Sequence, residues 1–142
     1  MAKKILVPLD GREPYPSIAR VVGSVARESG ATVRLLRVFP VPERVMGPRG
    51  TISYVDQEMG RLTGEGMDQM RPVQEQLDHV PVESVVRFGE ALPEILLEAE
   101  AFDADLIALT AEKRGRVAHS LAPDVADRLL TSSDVPVLLL RE

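Results

Sequence analysis

Five short apolar runs, most of them rich in β-branched residues, constrain this chain most: KKILVPL at 3–9, TVRLLRVF at 32–39, VESVVRF at 82–88, DLIALT at 105–110 and VPVLLL at 135–140. Each has the length and composition of a strand. The segments between them carry a different period. Ile18, Val21, Val22 and Val25 fall at i, i+3, i+4 and i+7, and Gly30 supplies a left-handed stop, which predicts an amphipathic helix with a C-terminal cap. Leu92, Ile95, Leu96 and Ala99 repeat the pattern, with Pro93 tolerable in a first helical turn, and Val125, Leu129 and Leu130 predict a short helix before the last strand. Strands alternating with helical crossovers predict an α/β fold: an open five-stranded parallel sheet with helices on both faces, Rossmann-like. The 142 residues make one domain, 1–142, and a chain of that length buries about 70% of its unfolded surface.

Residues 40–79 are less regular. PVPERVMGPRG, at 40–50, holds three prolines and two glycines and is expected to be an exposed, readily cleaved loop, first cut near Arg44 or Arg49. From Ile52 to Leu77 the apolar spacing is helical, but Gly60, Gly64, Gly66 and Pro72 predict a helix bent or broken near those positions. Met59, Met67 and Met70 lie at core spacing along it.

Composition excludes several functions. Aromatic residues at 4% cannot build a base-stacking platform, and a net charge of -5 opposes general nucleic-acid binding. With no cysteine there is neither disulfide framework nor thiolate chemistry. His119 has no second ligand at metal spacing, and His79 reads as a charge near a helix end, so no metal site is expected. No serine lies in a G-x-S-x-G elbow and no G-x4-G-K-[ST] loop is present. The absence of a signal-like or membrane-spanning run predicts a cytoplasmic protein without membrane contact.

Open parallel sheets bind ligands at the carboxyl ends of their strands, in the crevice where strand order reverses. That rule brings PLDG (8–11) to face TAEK (110–113). Lys113, Arg114 and Arg116 gather there around Gly115, either as phosphate-binding charge or, more simply, as a solvated loop.

These segments carry a resemblance. KKILVPLDG, FGEALPEILLEAEAFDADLIAL from Phe88 and VADRLLTSSDVPVLLLR at the end are similar to the universal stress protein, or UspA-like, family. The resemblance implies a sheet ordered 3-2-1-4-5, a tendency to dimerise and, in one subclass, ATP binding. It places Asp10 beside the nucleoside and Pro8 and Val38 at the walls of the adenine site. Asp10 either meets a ribose hydroxyl pair or only organises the Asp-Gly turn before the first helix.

The ATP-binding subclass carries G-x2-G-x9-G-[ST], whose glycines let backbone N–H groups approach phosphate oxygens. Aligned on VADRLL, its positions fall on Thr110, Lys113, Pro123 and Asp124, all changed. The resemblance thus implies a degenerate nucleotide site of Pro8, Asp10, Val38, Thr110, Lys113, Arg114 and Asp124. The expected function is a stress-response protein that acts by binding, with no required cofactor and only weak ATP or other adenine-nucleotide binding, and with no catalytic residues. The alternatives are an atypical nucleotide-binding member using Asp10 and the basic loop, with slow ATP hydrolysis, and a module that binds a protein partner through 40–50 and the helix behind it. A homodimer is expected through Val135 to Leu140, apolar on both faces at a sheet edge, while Pro81, Glu83 and Arg87 protect the opposite edge toward solvent.

Overall fold

Successive side chains of a strand point to opposite faces, and in the first strand both faces are apolar, so it must lie between two layers. A computed structural model, which describes residues 3–11, 15–43, 52–111 and 123–141, has that arrangement. Strand β1 (Lys4–Leu9) leads to a π-helical turn (Ile18–Val22) that continues as α1 (Gly23–Ser29). Then follow β2 (Thr32–Phe39), α2 (Ile52–Gln76), β3 (Val82–Phe88), α3 (Ala91–Phe102), β4 (Leu106–Ala111), α4 (Pro123–Ser132) and β5 (Val137–Arg141). The strands form one parallel sheet in the order β3-β2-β1-β4-β5.

Ile5, Val7 and Leu9, with Val33, Leu35 and Ala108, pack on one face against Ile18, Val22 and Ala26 and against Met70, Val73 and Leu77 of α2. Leu6, Leu36, Ile107 and Leu109 pack on the other face against Leu92, Ile95, Ala99 and Phe102 of α3 and Leu129 of α4. Each fully buried side chain of this size contributes about 1.5–3 kcal/mol, which is why the aliphatic alternation in the sequence sets the layers.

The predicted first helix forms and ends at Gly30 in the left-handed region, whose N–H donates to the Ala26 carbonyl. Its first turn is wider than expected, with the Gly23 N–H reaching back to the Ile18 carbonyl. Helix α2 corrects the expectation of a break: it runs unbroken for 25 residues with Pro72 inside it. At Gly60 and Gly64 an added Cβ would meet nothing within 4 Å, so these glycines cost helix propensity alone, about 1 kcal/mol each, which burial of Met70, Val73 and Leu77 outweighs. At Gly66 a Cβ would lie 2.9 Å from the side chains of Phe39 and Val86. This glycine lets the helix approach the sheet closely. The methionines divide: Met70 is core, whereas Met67 is 40% exposed.

At the β3 edge Glu83 and Arg87 do not simply face solvent. Arg87 Nε donates to Glu94 Oε1 and Nη1 to Glu98 Oε1, each at 2.8 Å, and Glu83 pairs with Arg34 at 2.9 Å. The edge is fastened to α3 by charge. Of the 40–50 loop only 40–43 are described, so its cleavage sites fall outside the described residues, as do Lys113, Arg114, Arg116 and His119.

Candidate functional site

Proline in β1 opens the sheet at its switch point. β1 pairs with β2 from Lys4↔Thr32 to Leu9↔Arg37, but with β4 only at Ile5↔Leu106 and Leu6↔Ile107. In a parallel strand, alternate residues direct their backbone groups to opposite neighbours. The Lys3 carbonyl accepts from Thr32 at 2.9 Å, on the β2 side, and the Lys4 carbonyl accepts from Asp105 at 2.8 Å, on the β4 side. Pro8 is in phase with Lys4, so its missing N–H faces β4. The rung that would hold the carboxyl ends of β1 and β4 together is absent where their order reverses.

Beside this opening, at the carboxyl ends of β1, β2 and β3, lies a cleft of about 420 Å³. Pro8, Val38 and Ile95 give it apolar walls, Asp10 and Arg37 stand at the strand ends, and Gly89 and Glu90 lead into α3. Gly89 has φ 147°, and a Cβ there would lie 2.8 Å from Glu94 Oε2, so only glycine turns the chain at this point. Its N–H donates to the Phe39 carbonyl at 2.9 Å, which ties the cleft floor to β2.

Three residues singled out in the sequence, Pro8, Asp10 and Val38, therefore meet in one cleft. Thr110 lies near the end of β4, half-buried and opposite Leu140, outside the cleft lining. Asp124 is the second residue of α4, and its side chain is outside the described residues, like Lys113 and Arg114 altogether.

Other residues surround Asp10 that sequence reasoning missed. The Tyr15 hydroxyl, on a ring that is 3% exposed, donates to Asp10 Oδ1 at 2.9 Å. Burial, and then the Asp10 carboxylate, push the Tyr15 hydroxyl well above the ordinary phenol range, so it keeps its proton. Arg37 stacks on the Phe39 ring at 4.1 Å, donates from Nε to Gln69 Oε1 at 2.9 Å and from Nη1 to the Val38 carbonyl at 2.7 Å. Burial pulls its pKa below the usual guanidinium value, against the opposing carboxylates of Asp10 and Glu65. The available signal was the pair of arginines inside an otherwise apolar TVRLLRVF.

Among the described residues no group of three His, Cys, Asp or Glu side chains is placed to hold a metal ion, and no helix is long and apolar enough to cross a membrane.

An open parallel sheet with helices on both faces and a cleft at the carboxyl ends of β1, β2 and β3 defines a doubly wound α/β protein. The universal stress protein family model matches residues 1–141, and the chain belongs to that family. A universal stress protein of Methanocaldococcus jannaschii is 27% identical over 142 residues, spanning 99% of this chain and 82% of the relative. Among solved structures, the hypothetical protein MJ0577 superposes with a TM-score of 0.78 at 22% identity, over 99% of this chain and 96% of that one. A universal stress protein in complex with cAMP gives 0.67 at 16% identity, over 98% and 97% of the two chains. One from Archaeoglobus fulgidus in complex with dAMP gives 0.64 at 17%, over 96% of each. At these identities the structures show the shared fold.

Proposed function

We propose that this universal stress protein acts by binding a small ligand rather than by catalysis, and that the ligand is an adenine nucleoside or nucleotide held chiefly by its nucleoside half. The observation that carries the reading is the meeting of Pro8, Asp10 and Val38 in one cleft. Apolar walls suit the faces of a base, and a carboxylate at the rim suits ribose hydroxyls. The cAMP and dAMP complexes of similar folds support the ligand class.

The phosphate half is depleted. Thr110, Lys113, Pro123 and Asp124 stand where the family's ATP-binding subclass has its glycines and hydroxyl. Pro123 opens α4 without an N–H to donate, and Asp124, one residue on, favours the helix start but opposes a phosphate there. Two unit charges about 4 Å apart repel by roughly 4 kcal/mol at an effective dielectric near 20. ATP is therefore expected to bind no more tightly than about 1 mM, near -4 kcal/mol, with adenosine comparable. Titration calorimetry with both ligands checks this. Micromolar ATP binding with much weaker adenosine would instead assign the phosphates to the basic loop and promote the atypical nucleotide-binding reading. Restoring the pattern with Thr110→Gly, Lys113→Gly, Pro123→Gly and Asp124→Ser should strengthen ATP more than adenosine.

The proposed assembly is a homodimer through β5. This strand lies at the sheet edge, and Leu139 is 41% exposed on it. Leu138 packs against the core, so Leu139→Lys is the cleaner probe. Light scattering should show a dimer that Leu139→Lys converts to a monomer; a dimer that persists places the interface elsewhere.

A further inference from the structure

Asp10 precedes Gly11, which sits at φ 85°, and an aspartate that only shaped such a turn would need no side chains from elsewhere to orient its carboxylate. Its surroundings are more specific than that. Tyr15 reaches back from the start of the first helical segment to donate a 2.9 Å hydrogen bond to Asp10 Oδ1. From β2, Arg37 brings Nη2 to within 3.0 Å of where a Gly11 Cβ would be, and Gln69 of α2 brings Oε1 to 3.2 Å of the same point. The Arg37–Gln69 hydrogen bond, at 2.9 Å, closes this support behind the turn. Three separate elements thus converge on the Asp10–Gly11 turn at the rim of the cleft.

We propose that Tyr15 and Arg37 are positioning residues for Asp10 at the rim of the cleft. Tyr15 fixes the carboxylate by one oxygen, so that its acceptor directions are aimed rather than rotating. Arg37 and Gln69 brace the Gly11 backbone, which sets how far Asp10 projects. The inference rests on the nucleoside reading, in which the Asp10 carboxylate meets ribose hydroxyls, and adds which side chains hold that carboxylate in place.

Calorimetry with adenosine and 2′,3′-dideoxyadenosine tests it on the full chain, unmodified and as Tyr15→Phe. The substitution keeps the buried ring and removes only the hydroxyl. Adenosine should weaken roughly tenfold, as for one well-placed hydrogen bond, and dideoxyadenosine should not change. Arg37→Met, which keeps an apolar stem on Phe39 but releases Gln69, should give the same selective loss. Equal losses for both ligands, or no loss for adenosine in either variant, would overturn the proposal while leaving the nucleoside reading standing. Failure of the unmodified protein to bind either ligand would overturn that reading and this inference with it.

Discussion

Arg34 and Arg37 lie three residues apart on β2, on opposite faces and toward opposite ends of the sheet. Arg34, toward the amino end, pairs with Glu98 at 2.6 Å and Glu83 at 2.9 Å and stacks over Phe102 at 4.2 Å. Arg37, at the carboxyl end, donates to the Gln69 amide oxygen and to the Val38 backbone carbonyl. Burial lowers the pKa of both guanidiniums, but hydrogen bonds to Glu98 and Glu83 raise that of Arg34 on balance, whereas Arg37 stays lowered. The amino end is closed by matched charges. The carboxyl end holds a cation whose hydrogen bonds go to neutral oxygens, with the Asp10 and Glu65 carboxylates acting on it only through space, beside an open cleft.

The largest expected effect breaks the closed end. Glu98 is 4% exposed and takes both Arg34 and Arg87, so Glu98→Ala leaves two arginines without their shared partner. Removing one member of such a buried group costs about 3–5 kcal/mol. Arg37→Met, which strands no carboxylate, should cost about 1 kcal/mol or less. Urea unfolding of both variants measures the difference. Equal losses would erase the distinction between the two ends.

The sequence displayed the sheet but not this contrast. Strands and layers were legible because β1 and β4 are apolar on both faces and β2 is so apart from one arginine on each, and that pattern admits little besides a sheet covered twice. The Gly30 cap was legible because the need for a left-handed residue is local. Glu98 was not, since it sits in an ordinary helical position and only the fold brings Arg34 and Arg87 to it. Continuity of α2 was hidden for a related reason: propensity counts every glycine as a weakness, while tertiary contact makes Gly66 a requirement. Pro8, Asp10 and Val38 were found through the family resemblance, and Tyr15 and Arg37 were missed because no local pattern joins positions 10, 15, 37 and 69.

The next effect sharpens the contrast within α2. Gly66→Ala drives a methyl against Phe39 and Val86 and should cost about 1–3 kcal/mol, with the helix displaced from the Arg37 end of the sheet. Gly64→Ala, two residues earlier in open space, should stabilise by about 0.5–1 kcal/mol. Thermal unfolding of the pair gives the sign of each. A neutral Gly66→Ala would mean that α2 is not held tightly against the carboxyl end, and would remove Gln69 as a fixed support for the Asp10–Gly11 turn.

The smallest effect returns to the amino end and is read through pH. Asp105 Oδ2 accepts the backbone N–H groups of Lys3 and Lys4 at 2.8 and 2.9 Å, and those two bonds, in that order, hold its carboxyl below the usual aspartate range. A carboxylate depressed in the folded state stabilises fully above its unfolded-state pKa and loses that contribution as pH falls through the folded-state value. Asp105→Asn removes the ionisable carboxylate, so its stability should lie slightly below that of the unmodified protein at neutral pH. The two curves should converge on acidification below the ordinary aspartate range, near pH 4 and under. Because the carboxylate is exposed, water screens it and the gap at neutral pH stays small. Parallel unfolding curves at every pH would show that the hydrogen bonds at the start of β1 are made equally well without the charge, and that the amino end depends on the Glu98 network alone.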